Sequence, residues 1–384
     1  MNTKELGEIR RRIAPGRCAI NRIYGCYVNS ARQIISQPTV SFALLTNEEA
    51  EKYSSLLKKT LSGTKGKNLI DLSFSSEAVM NGEAHRLLLA LLESGLADEE
   101  ARQTFFDRVI SSLPEDGFNH LILLAADTYD VPFRAGDGES LPDSSGTVYR
   151  YLLSAVCPVR DGKSELGYVR DENEFHVQTG GQLVGDPSFG FLFPSFDDRA
   201  ANLYGALFFT KDQSEGHDKF LDAVFAASPV MTAPEQRDTF SEALAGALED
   251  DCRFEVVQAL HEQVREKLSF HKESKAAEAL AFSSGDVGDM LRESGVPEEK
   301  IVRFQKSCDE SFGHDAPLDP TTVMESRKFE ILTPMVKISV DPQFSSRIET
   351  RFLDGRKYLL IPADEGVEIN GVVCRIEAGS PSDE

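Results

Sequence analysis

Apolar residues fall on one helical face over residues 3–13, where Leu6, Ile9 and Ile13 recur at the spacing of an amphipathic helix. Ala14-Pro15-Gly16 then ends it, and 19–28, with Tyr24 and Tyr27, reads as a strand. Thr46 precedes the stripe Ala50, Tyr53, Leu57 and Leu61, and Glu49 stands three residues on. That pattern predicts a capping box, with Gly63 as the left-handed stop. Residues 69–74 read as a short strand. Residues 83–94 and 98–113 predict a helical hairpin broken at Gly95. The apolar run 120–126 reads as a buried strand ended by Asp127, and 148–156, 190–196 and 202–209 as three more strands. Residues 134–146, rich in Gly, Asp, Ser and Pro, predict a loop. Residues 161–187 read as irregular and polar.

From 220 onward the period becomes helical. Thr232 and Glu235 form a second capping box around Pro234, and Phe240, Leu244 and Leu248 share a face. Val257, Leu260, Val264 and Leu268 continue the stripe over 254–268. A helix pair, 287–293 and 298–306, surrounds Gly295, and a Pro-containing linker follows over 313–322. Asp354-Gly355 then stands between the strand-like runs 347–353 and 356–361, and Asn370-Gly371 between 367–369 and 372–376. Both dipeptides suit type I′ hairpins, whose central residues need positive φ. The fold class expected is α+β: a mixed-sheet part over 1–230, a helical segment over 231–312 and a small antiparallel β unit with two hairpins over 328–377.

The chain has 384 residues, room for two or three domains. The first residues carry no basic start followed by an apolar run, so no secretory signal is expected. The longest apolar stretches, 87–92 and 121–126, are too short to span a bilayer, so no membrane partner is expected. The six cysteines, Cys18, Cys26, Cys157, Cys252, Cys308 and Cys374, are dispersed. They read as reduced thiols of a cytoplasmic protein. Their spacing gives no zinc site. The net charge of −22 is uneven: residues 1–70 hold 12 Lys and Arg against 5 Asp and Glu, a surplus of +7. The acidic remainder repels nucleic acid at long range, while the basic part offers local phosphate contacts.

Those contacts would fall to Arg10, Arg11, Arg12, Arg17, Lys65 and Lys67, with Tyr24 and Tyr27 for stacking. The competing account places Arg10–Arg12 in a last helical turn, where the dipole favours cations. Gly63-Thr64-Lys65-Gly66-Lys67-Asn68 is similar to a phosphate loop, but its spacing and its place before a strand differ from the Walker pattern. The helix pair around Gly295 has helix-turn-helix spacing, yet Glu298 and Glu299 open the helix that would read bases. Asp127, Asp130, Asp197 and Asp198 are the enzymatic candidates. Carboxylates converging beyond strand ends could hold Mg²⁺ for phosphoryl chemistry; aspartates that merely begin turns are the competing account. None of the seven histidines has a partner at ligand spacing. No Gly-x-Ser-x-Gly elbow is present.

Several segments together resemble an uncharacterised bacterial domain-of-unknown-function family. They are Glu5-Leu-Gly-Glu-Ile-Arg-Arg-Arg-Ile13, Arg22-Ile-Tyr-Gly-Cys-Tyr27, 56–74, Asp127-Thr-Tyr-Asp-Val-Pro-Phe133, 149–159 and Gly190-Phe-Leu-Phe-Pro-Ser-Phe-Asp-Asp-Arg199. The resemblance covers nearly the whole chain and implies no activity and no catalytic residue. Residues 328–361 are similar in pattern to the end of bacterial nucleoid-associated proteins. The expectation is therefore a cytoplasmic binding or interaction protein, with nucleoid association as its specific form, whose partner is a protein or nucleic acid. No cofactor is expected. The alternative is a metal-dependent enzyme acting on a phosphate-containing substrate, in which Mg²⁺ would serve.

Overall fold

A capping box opens the first helix. The Asn2 side chain accepts from the amides of Lys4 and Glu5, and the Glu5 carboxylate accepts from Asn2 N at 2.8 Å. The computed structural model describes residues 1–134, 140–163, 165–169, 174–178, 180–227, 230–274, 280–314, 316–324, 328–364, 366–369 and 371–374. Helix α1 is Thr3–Arg12. Strands β1 (Arg22–Val28), β2 (Ile34–Ser36) and β3 (Thr39–Ser41) precede α2 (Asn47–Lys59), which starts at the Thr46–Glu49 capping box the sequence predicts. Then come β4 (Leu69–Ser73), α3 (Ser76–Asn81), α4 (Glu83–Glu93) and α5 (Glu99–Ser112). The last two are the predicted hairpin, with Gly95 at positive φ between them.

Three expectations fail in the next stretch. β5 is Asn119–Arg134, so the strand runs through Asp127 instead of stopping there. Its ladder to β6 (Ser140–Asp161) pairs Asp127 with Tyr151 and Asp130 with Val148. The ladder holds because Asp127 finds polar partners inside the fold, described below. β6 also takes in residues 140–146, read as loop from their small and polar residues; backbone pairing overrides that composition. The polar stretch 161–187 contains strands β7 (Glu165–Val169), β8 (Glu174–Gln178) and β9 (Gln182–Val184). β10 (Phe189–Phe193), β11 (Ser195–Asp197), β12 (Ala200–Asn202), β13 (Gly205–Thr210) and α6 (Asp218–Phe225) complete the series.

The main sheet has the order β2-β1-β5-β6-β10-β13-β4, with β3 beside β1 and β9 beside β6, and its strands pair antiparallel. Alternation along each strand supplies two cores. Phe189, Phe191 and Phe193 of β10 join Leu88, Phe105, Phe220 and Phe225 under α4, α5 and α6. Leu192, Leu153, Tyr149 and Tyr151 face the other way, toward Leu6 and Ile9 of α1 and Leu57 of α2. Gly190 lets that second layer close. A Cβ there would lie 2.2 Å from Ser154 O and 2.8 Å from Thr60 Cγ2.

This first compact unit spans Met1–Gln236, and the second takes up the described residues from Arg237 on. α7 (Ala233–Leu248) begins at the predicted Thr232–Glu235 box. The second unit buries Phe240 and Leu244 with residues of α8 (Phe254–Ser274), α9 (Ser284–Glu293) and α10 (Glu298–Phe312). α11 (Pro320–Val323) begins inside the stretch read as a linker. Three hairpins follow: β14 (Phe329–Leu332) with β15 (Lys337–Val340), β16 (Glu349–Leu353) with β17 (Arg356–Leu360), and β18 (Val367–Ile369) with β19 (Val372–Cys374). Asp354 and Gly355 have φ of 48° and 76°, as the predicted turn requires. Gly371 has φ of 85°, while Asn370 lies outside the described residues. The second unit's hairpins are tied to α8: Gln258 Nε2 donates to Ser345 O at 2.5 Å and Arg265 Nη1 to Pro342 O at 2.5 Å. The fold is α+β.

Candidate functional site

The enzymatic candidates Asp127 and Asp197 both lie on the α1 side of the sheet. The buried Asp127 carboxylate accepts from Ala19 N, from Thr128 N at 2.9 Å and from the Tyr151 hydroxyl at 2.5 Å. Arg12 Nη2 stands 3.9 Å from it. Asp127 thus ties the turn after α1 to β5 and β6. The rule that ligands gather beyond strand C-termini belongs to open parallel sheets, and this sheet is antiparallel.

Asp197 ends β11. It accepts from Ser195 Oγ at 2.7 Å and Asn202 Nδ2 at 2.8 Å, and pairs with the Met1 amino group. Burial pushes its pKa up, but these donors outweigh burial and hold it below the ordinary value. Asp198 and Arg199 form the tight turn to β12, with φ of 49° and 60°. Asp198 and Asp130 are exposed. Among the described residues, no three His, Cys, Asp or Glu side chains gather as ligands of a metal ion.

Between the two aspartates lies a cluster that the sequence reading missed. Tyr149 and Tyr151 stack at 4.8 Å with 18° between their planes, and Phe196 tilts against Tyr149 at 4.6 Å. Burial first, then the nearby aspartates, push both hydroxyls far above the usual tyrosine range. They remain protonated donors, Tyr149 to Pro194 O at 2.6 Å. Tyr129 donates to Glu8 Oε1 at 2.6 Å, and Arg12 covers its ring at 4.2 Å. The one sequence signal was the alternation of Tyr149 and Tyr151 on a strand. The cluster reads as a buried polar brace for α1.

The basic candidates divide. Arg12 is held by Tyr129 and by the carbonyl of Thr128 at 3.2 Å. Lys65 pairs with Asp71 at 2.6 Å and donates to Met1 O. Arg10, Arg11 and Arg17 are exposed, and Lys67 is half-buried. The structure therefore commits part of the predicted phosphate surface to internal contacts.

The second unit shows a different feature. Met335 is 92% exposed, Val373 79%, Leu332 71% and Phe352 68%. Val336, Phe344, Leu353, Tyr358, Ile361, Ile369 and Val372 are exposed as well. Every residue of β16 is exposed. Among the described residues the three hairpins join no larger sheet, and a two-stranded hairpin is marginal by itself in water. Each of the three hairpins thus carries large apolar side chains in solvent.

The family model described as "Domain of unknown function (DUF4317)" matches residues 1–372, so the chain belongs to that family. No curated protein matches the sequence.

Proposed function

We propose that this DUF4317 protein is a non-catalytic interaction protein of the cytoplasm, whose C-terminal hairpins dock a protein partner. The exposed apolar side chains of these hairpins, from Leu332 to Val373, carry the reading. Partner burial of apolar surface is favourable at roughly 25 cal/mol per Å² before association costs. The cytoplasmic part is supported by the six free cysteines, and among the described residues no helix is long and apolar enough to cross a membrane.

A metal-dependent enzyme acting on a phosphate-containing substrate draws less support, because Asp127 and Asp197 already take protein donors. Nucleic-acid contact, the nucleoid form of the reading, is favoured by the exposure of Arg10, Arg11 and Arg17.

The test is site-specific photocrosslinking in cells that express the protein. Crosslinkers replacing Phe352 and Met335 should each capture one discrete protein, and a crosslinker at the exposed Lys272 of α8 should not. Equal capture from all three positions, or none from any, would overturn the docking surface.

A further inference from the structure

We infer that the groove between α8 and the outer edge of β14 is a peptide-binding site for an extended segment of a partner protein that alternates apolar and acidic side chains. The inference rests on the docking reading above and gives the partner a chemistry.

The groove encloses about 670 Å³, within the range of sites that bury most of a ligand. Five consecutive residues, Lys328 to Leu332, line it. A sheet face would present only every second residue. The strand therefore meets the groove with its edge. β15 pairs with the opposite edge, from Phe329↔Val340 to Leu332↔Lys337. An uncovered strand edge offers main-chain donors and acceptors to an added strand.

The facing wall is one side of α8. Phe254, Val257 and His261 line it, at helical spacing. Phe329 meets the His261 ring edge-on at 5.6 Å and 87°, and the Phe254 ring at 6.1 Å and 82°. Burial pushes the His261 pKa down, so at neutral pH it adds an aromatic surface without charge. Val257, which the sequence assigns to the core stripe, is only half-buried. Alternate side chains of an added strand would rest on this apolar floor.

Charge selects the rest of the ligand. Arg237 and Lys328 line the groove. The Arg237 Nε is buried with no hydrogen-bond partner, and neither cation forms an ion pair among the described residues. The remaining ionised wall residue, Glu330, is held by Lys337 at 3.0 Å. In a protein of net charge −22, two cations thus line one groove with no ion pair among the described residues. Guanidinium and carboxylate make strong, directional pairs, so acidic side chains fit the positions between the apolar ones.

A displayed library of random decapeptides, flanked at both ends by carrier sequence, tests this on the full chain. Enriched peptides should alternate apolar residues with Asp or Glu and lose at least tenfold in affinity for the Arg237→Ala, Lys328→Ala variant. On the wild-type protein, which avoids any folding defect, the bound peptide should slow amide exchange at 329–332. Absence of enriched peptides, equal binding to the variant, or enrichment of basic peptides overturns the groove. Protection at 349–360 instead also overturns it, while leaving the hairpin docking surface standing.

Discussion

Asp127 and Tyr151 sit opposite each other across β5 and β6, and the tyrosine hydroxyl donates to the aspartate carboxylate. The pair is buried, and Ala19 N joins it from beyond α1. One carboxylate therefore fastens three parts of the chain. A hydrogen bond to a buried charge is worth about 1.5–3 kcal/mol.

Tyr151→Phe should lower stability by about 1–3 kcal/mol, because the carboxylate keeps its burial and loses its hydroxyl donor. Asp127→Ala should cost more, since it leaves both Ala19 N and the Tyr151 hydroxyl unpaired. Urea midpoints of the two variants check the order; a harmless Asp127→Ala would contradict the brace.

Gly355→Val should loosen the β16–β17 hairpin. Its φ of 76° is strained for a β-branched residue, at about 1–3 kcal/mol. Amide exchange over 349–360 should speed up while the exchange of β5 and β6 stays unchanged.

Acid should weaken the first unit partly through His217. Its ring lies 4.2 Å from Phe189, and burial pulls its pKa from 6.5 to about 4 despite the opposing charge of Asp212. Glu215 also stands 3.4 Å from its Nε2. The folded pKa lies below the unfolded one, so the unfolded state binds the extra proton between them. The contribution is complete above pH 6.5 and is lost as pH falls toward about 4, up to about 3 kcal/mol in all. His217→Asn, which tolerates the left-handed φ of 51°, should flatten the fall in urea midpoint between pH 7 and pH 5.

Millimolar Mg²⁺ or Mn²⁺ should leave the melting temperature unchanged, since a ligand that binds only the folded state raises it by mass action. A rise in the wild type that vanishes in Asp127→Asn, Asp197→Asn would favour the enzyme reading instead.

Labelled DNA and RNA should not bind at low salt if a protein is the partner. Binding that falls steeply with salt, and that weakens in Arg10→Ala, Arg11→Ala, Arg17→Ala, would favour nucleic acid, because each phosphate contact releases counterion.

Local chemistry was legible in the chain wherever donor and acceptor stand close in sequence. Thr46 with Glu49, Thr232 with Glu235 and the Asp354-Gly355 turn all form as their spacing predicts. The extent of β5 was hidden, because Asp127 interrupts an apolar run and its partners Ala19 and Tyr151 lie 108 and 24 residues away. The start of β6 was hidden by residues typical of loops. The groove was illegible for a related reason: Val257 obeys the core period, and only the approach of β14 to α8 shows that it faces a cavity.

The order of strands also sets a timetable for synthesis. β4 pairs with β13, from Leu69↔Phe209 to Ser73↔Gly205, so 132 to 140 residues separate the partners. At roughly 5–20 residues per second, the ribosome holds β4 without its neighbour for about 7–28 seconds. During that interval Leu69 and Leu72, both buried in the finished sheet, are open to chaperones and to other nascent chains.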